Sequence, residues 1–394
     1  MHGLSLLFLA WSLAAYAAIL PISTPPTVGE IAKLLKVPIS SKLLPVNALT
    51  HQLRTRVTTS NAPSTRNTVL KVVTSVQCGQ KQTFNDVLVD TGSAILWFGG
   101  ESPYVPGSNT VVINSDFSVG YGAGGVQGTA FRDTVIIGEA TGVGQIIGAA
   151  NKTTGFNLVR PIDGILGLGP SGSNSGDVTG FDSTPTFVET LVAQNQISKP
   201  MFGIFVNPLG TDGTPEGTGE ITFGGIDESK IQGEVTWVAQ NAPVNFHWEF
   251  NISSFSFGTV NLTEPTFART DTGVLSIGIP FDSYLAMNEA YNGSIHFDRS
   301  ALSGFLNFNS NDVPSLPNLS ITLGSETFSI PPSKYIVPRQ LYPMLNVTDV
   351  PGLEKTWIAS AGPGSFGLGQ KWLENVYTAY DMENHRVGFA RSSA

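Results

Sequence analysis

Two tripeptides in this 394-residue chain could do chemistry. Asp90-Thr91-Gly92 closes the apolar run of "VLVDTGSAILWFGG", and Asp271-Thr272-Gly273 stands in the same frame within "FARTDTGVLSIGIP". A buried ionised carboxylate is costly unless it is paired or hydrogen-bonded, so an Asp driven into an apolar run suggests a site. A single copy could be an ordinary turn, because Asp bonds the backbone locally and Gly permits the tight conformation. Two chance copies have odds of about one in a hundred given the chain's composition. Two carboxylates brought close cannot easily both ionise. They share a proton, and one can act as base while the other acts as acid.

The elements around the pair repeat. Each D-T-G is followed by an apolar-Gly segment, "DGILGLG" (163–169) and "SFGLGQ" (365–370). Charged residues make up only 13% of the chain and there are 43 glycines, so short apolar runs alternate with Gly, Pro, Ser, Asn and Asp turns. This predicts a mostly β body. The clearest helix is "PTFVETLVAQNQIS" (185–198), and "GEIAKLLKVP" (29–38) has weak helical periodicity. Two similar β lobes, each offering one Asp to a shared cleft, account for the repeat; the first would end near Pro208.

The N-terminal region differs in character. "LSLLFLAWSLAAYAA" (4–18) with Ala15-Tyr16-Ala17 reads as a signal peptide over 1–17, too short to span a bilayer comfortably. Residues 18–66 carry Lys33, Lys36, Lys42, Arg54, Arg56 and Arg66 against Glu30 alone, while the body is acidic. Opposite charges would hold this leader on the body at neutral pH, and protonating carboxylates would loosen it, which is the logic of a proenzyme. A flexible tail is the alternative.

Several function classes drop out. Gly120-x-Gly122-x-x-Gly125 and Gly167-x-Gly169-x-x-Gly172 fit a dinucleotide fingerprint, but neither opens a helix. No Walker lysine motif or G-x-S-x-G occurs, and the acidic body argues against nucleic acid. Cys78 is the only cysteine and His2, His51, His247, His296 and His385 are scattered, so no metal or other cofactor is expected. Cys78 reads as a buried, inert thiol. Sequons begin at Asn151, Asn251, Asn261, Asn292, Asn318 and Asn346 and permit glycosylation. The expected location is outside the cell, with a vacuole as the lesser possibility, and the expected state is a monomer without stable membrane association.

From about Val69 to the C-terminus the chain resembles the pepsin-like aspartic proteases, especially the secreted fungal acid proteases of the polyporopepsin type. The likeness rests on "LVDTGS" with Trp97 beyond it, "YGAGG" (121–125) leading to "DTVIIG", "DGILGLG", the second "DTG" and "YTAYDMENHRVGFA". It implies an all-β bilobal fold with a few short helices and a central cleft, an N-terminal lobe over 67–208 and a C-terminal lobe over 209–394. Asp90 and Asp271 would be the catalytic dyad of an endopeptidase that takes protein or peptide substrates in extended form. Pepsin itself is the established example of such a shared-proton pair. Gly92 and Gly273 would let the loops approach, Ser93 would bond Asp90, and Thr91 and Thr272 would cross-brace the loops. Tyr121 would sit on a flap closing over substrate, bonded to Trp97, with Gly122, Ala123 and Gly124 offering backbone groups. Phe156, Ile162 and Ile165 would line the main side-chain pocket.

The chain departs from that pattern at four places. Val274 replaces the Ser or Thr after the second D-T-G, which should raise the Asp271 contribution to the coupled titration. Arg269 and Thr270 replace an apolar pair. On a straight strand Arg269 would share a face with Asp271 and lower its pKa, whereas a bend or a solvent-facing Arg would not. Gln370 replaces an acidic residue. Val274 and Arg269 keep open a catalytically silent pepsin-fold binding protein; a two-carboxylate glycosidase explains neither the repeat nor the flap.

Overall fold

Short runs rich in Val, Ile, Phe and Thr, cut by Gly and Asn turns, become strands that, among the described residues, pair into three sheets. The computed structural model describes residues 33–46, 67–100, 102–122, 124–154, 162–295, 302 and 304–393, all within the unit Ala32–Ala394. The expected signal peptide and most of the leader lie outside these residues.

The largest sheet has 13 strands. Its order is Ile231–Ala239, Arg386–Ser392, Val376–Asp381, Met201–Phe205, Gly219–Phe223, Leu35–Val46, Asn67–Cys78, Gln82–Asp90, Gly164–Gly167, Leu96–Phe98, Ala140–Thr154, Gly124–Ile137 and Val111–Tyr121. A seven-stranded sheet carries the second D-T-G, and a four-stranded sheet completes the C-terminal half. The expected lobe boundary at Pro208 falls between Met201–Phe205 and Gly219–Phe223, which pair with each other in the shared sheet.

The sequence repeat is a repeat of topology. The strand ending at Asp90 runs parallel to Gly164–Gly167, with Asp90 level with Gly167, and Leu96–Phe98 returns antiparallel on the far side of that segment. In the second half Thr266–Thr270 runs parallel to Ser365–Leu368, and Ile277–Pro280 returns antiparallel to it. Each apolar-Gly segment is therefore the strand that seats its own D-T-G loop. Val87, Leu88, Val89 and Asp90 are all buried, as a continuous apolar run covered on both faces must be.

The expected helix forms at Phe187–Ala193. Thr186 and Glu189 make a capping box that satisfies the free amides of its first turn. The weak helical periodicity before Pro38 is overruled: Leu35–Val46 is a strand, with Leu35, Val37 and Ile39 buried and Lys36 and Pro38 exposed. Pairing on both edges decides it. Residues 35–39 bond to Gly219–Phe223 and residues 40–46 to Asn67–Val73, so partners in the sheet outweigh local preference. Cys78 is buried, and burial pushes its thiol well above the ordinary value. Among the described residues no helix is long and apolar enough to cross a membrane.

Candidate active site

Each D-T-G loop is fixed first by its own half. The Leu168 N–H donates to the Asp90 carbonyl at 2.8 Å, and the Asp271 N–H donates to the Leu368 carbonyl at 3.2 Å. The two loops then lock together. The Thr91 N–H donates to the Thr272 hydroxyl at 3.0 Å and the Thr272 N–H to the Thr91 hydroxyl at 3.1 Å. The hydroxyls donate onward, Thr272 to the Val89 carbonyl at 2.8 Å and Thr91 to the Thr270 carbonyl at 3.4 Å. Both threonines are buried, as such a brace requires.

This brace brings the carboxylates together. A Cβ placed on Gly92 would lie 2.7 Å from Asp271 Oδ2, and one on Gly273 would lie 2.8 Å from Asp90 Oδ1. Any side chain at either position would collide with the opposite carboxylate, so the two glycines are what the approach demands. Their amides also serve the pair: Gly92 N–H donates to Asp90 Oδ1 and Gly273 N–H to Asp271 Oδ1, each at 2.9 Å.

A hairpin closes one side. Val111–Tyr121 and Gly124–Ile137 pair up to Tyr121 opposite Gly124, leaving Tyr121 and the exposed Gly122 at the tip. Trp97 Nε1–H donates to the Tyr121 hydroxyl at 2.7 Å, and the Ser93 hydroxyl, itself a hydrogen-bond partner of Tyr121, donates to Asp90 Oδ2 at 2.5 Å. A chain of hydrogen bonds thus runs from Trp97 to Asp90. Ile162 and Ile165 are buried in the same apolar cluster as Trp97, with Tyr121 packed against it. Phe156 and Ala123 lie outside the described residues.

With this geometry, the family model of eukaryotic aspartyl proteases matches residues 72–392. The chain belongs to that family. It is 30% identical over 340 residues to polyporopepsin of Irpex lacteus, covering 84% of this chain and 97% of that protein. Gastricsin of Homo sapiens is 28% identical over 327 residues, covering 78% of each. The crystal structure of aspartic proteinase from Irpex lacteus superposes with a TM-score of 0.75 at 28% identity, covering 92% of this chain and 98% of that one. The protein is a pepsin-like aspartic endopeptidase with the expected mostly β fold.

Within this aspartyl protease the two carboxyls are not equivalent. Asp90 accepts from Gly92 and Ser93, whereas Val274 offers Asp271 no hydroxyl. Burial, then the neighbouring Asp90 charge, push Asp271 well above the usual carboxylate range; Arg269, the Gly273 amide and Lys71 pull the other way. Such a pair can hold one proton and one negative charge at once.

Of the other departures, Thr270 and Gln370 find hydrogen-bond partners and Arg269 faces outward. Arg269 is exposed and sits opposite Glu249 in the sheet, so the solvent-facing alternative is the one realised, although its charge still reaches Asp271. Thr270 is buried and its hydroxyl accepts from Tyr380 at 3.1 Å. Gln370 is buried and donates to Glu374 at 3.1 Å. One turn along, Glu374 pairs with Lys371 at 2.8 Å.

Sequence reasoning missed Lys71, whose Nζ donates to the Gly273 carbonyl, and Tyr380, which supports Thr270. A lone lysine in "VLKVV" was the available signal for the first. Nothing local marks the second, because its partner lies 110 residues away.

Proposed function

We propose that this aspartic endopeptidase is made as a secreted proenzyme and cuts extended protein substrates in acid, near bulky apolar residues, with a water activated between Asp90 and Asp271. The observation that carries the reading is the reciprocal threonine brace that sets each D-T-G glycine against the other loop's carboxylate. Asp90, which accepts two hydrogen bonds, is the charged member and takes a proton from the water. Asp271, whose environment favours the protonated form, donates a hydrogen bond to the peptide carbonyl as the water attacks. The proton then passes to the leaving amine, and no covalent enzyme intermediate forms.

Tyr121 and the glycines at the hairpin tip cover the substrate, and Ile162 and Ile165 supply apolar contact for its side chains. Residues 1–17 are the signal peptide and 18–66 the leader, followed by the lobes 67–208 and 209–394. Charge supports the leader's role: Lys36 pairs with Asp227 and, at 3.4 Å, with Glu220, and Lys42 pairs with Asp86 at 2.7 Å. The sequon residues Asn151, Asn251, Asn261, Asn292 and Asn318 are exposed, as glycan acceptors must be, and Asn346 is half-buried. The enzyme works as a monomer.

Val274 is the one observation that favours a silent binding protein. Incubating the purified protein with a denatured protein from acid to neutral pH, with and without a statine-type transition-state analogue, separates the readings. Cleavage that the analogue blocks supports catalysis; analogue binding without cleavage would leave the fold as a binder.

A further inference from the structure

Lys71 interrupts an apolar strand, Asn67–Cys78, whose neighbours Leu70, Val72 and Val73 are buried while Lys71 is half-buried. A cation set into such a run needs a partner within the fold. Its Nζ donates to the carbonyl of Gly273, a neutral acceptor in the second D-T-G loop. Gly273 stands at the seam of the pair: its amide donates to Asp271 Oδ1 at 2.9 Å and its Cα faces Asp90 Oδ1. The strand register agrees. Val73 pairs with Leu88, so the line continued toward the loop sets Lys71 level with Asp90, on the face that Val73 shares with Trp97 and Ile165.

We infer that Lys71 is a positioning residue for the Asp90–Asp271 pair, its ammonium supplying the counter-charge that lets one of two closely apposed carboxyls ionise. This rests on the reading of the pair as acid and base. Burial pushes the Lys71 ammonium below the ordinary lysine value, and Asp271, then Asp90, pull it back; by reciprocity Lys71 favours the charged form of Asp271. Lys71 is not alone at the seam, because Arg269, from the solvent face, also favours the charged form of Asp271. Lys42, directly across the leader pairing from Lys71, is bound to Asp86. Arg269 is exposed opposite Glu249, and His247, within reach of Asp90, Arg269 and Glu249, is held by burial below its ordinary value. Lys71 therefore does from beside the Gly273 carbonyl part of what a hydroxyl at 274 would do.

The test compares Lys71→Met, Lys71→Gln and Lys71→Arg in the full chain, following the carboxyl 13C resonances of Asp90 and Asp271 as pH is varied, with the pH profile of proteolysis alongside. Met and Gln should move the titration of the pair upward by about one pH unit, and Arg should leave it near wild type. Should Lys71→Met fail to fold, Lys71→Gln, which keeps a donor for Gly273 but no charge, carries the comparison. A Gln variant that titrates like wild type would make Lys71 a hydrogen-bond donor only and overturn the inference. A protein that cuts nothing yet shows the shift would retain the counter-charge and discard the proteolytic reading.

Discussion

Thr91 and Thr272 each give a backbone N–H to the other's hydroxyl, at 3.0 and 3.1 Å, and this exchange is the joint between the two halves of the site. Replacing Thr272 by Val keeps the shape but leaves the Thr91 amide and the Val89 carbonyl without their partner. Orphaned buried groups of this kind cost about 1–3 kcal/mol each. Thr272→Val should lower the unfolding free energy by about 2 kcal/mol or more and reduce kcat, while Thr272→Ser stays near wild type in denaturant titrations. Equal stability of Val and Ser variants would show that the brace is dispensable.

Asp90→Asn and Asp271→Asn should each reduce proteolysis by about a thousandfold or more, because each removes a member of the shared-proton pair. Asp271→Asn has a second readout. The folded protein holds Asp271 above its unfolded value, so its contribution to stability is fully present in acid, below the unfolded pKa, and is lost as pH rises through the folded one. The variant should therefore gain in Tm relative to wild type as pH increases through that window. A Tm difference that does not change with pH would mean that Asp271 is not strained by ionisation.

Val274→Thr should restore a hydroxyl to Asp271 and move the basic limb of the pH–rate profile, where Asp271 loses its proton, down by about one unit. Arg269 is exposed, so its screened charge adds little: Arg269→Ile should move the same limb slightly upward, and the double variant should resemble Val274→Thr. An unmoved limb in both 274 variants would show that this position does not tune the pair.

Lys36 bonds hold Asp227 below the ordinary carboxylate range against the cost of its burial. A depressed carboxylate stabilises above its unfolded pKa and loses that contribution as pH falls through the folded one, so the leader strand is tied down at neutral pH and loosened in acid. Lys36→Met should weaken this hold by about 0.5–1 kcal/mol at neutral pH, since the lysine is half exposed. Hydrogen exchange across residues 35–46 should then speed up at neutral pH and depend less on acidification. Unchanged exchange in the variant would assign the hold to apolar burial alone.

Much of this was legible in the residues. Two D-T-G tripeptides and their apolar-Gly followers announced a duplicated site, and glycine at 92 and 273 is intelligible from the opposing carboxylate each one faces. The leader's strand was not legible, because its partners Gly219–Phe223 and Asn67–Val73 come from distant parts of the chain and a short amphipathic run suits helix and strand alike. Arg269 was ambiguous for a similar reason: it is the exposed residue between buried Ala268 and Thr270, and which face of that strand is covered depends on strands distant in sequence.

The strand Leu35–Val46 is hydrogen-bonded along both edges and buries Leu35, Val37 and Ile39 in the middle of the sheet that joins the two halves. A segment so placed is a template for assembly, and under the proposed processing it would be present while the sheet forms and absent afterwards. A chain processed in that way would owe its persistence to a slow unfolding rate, because it would have lost the strand that guided its assembly. Denaturation should be reversible for the unprocessed chain and one-way for the processed one, so that the proposed cleavage would set a clock on the molecule.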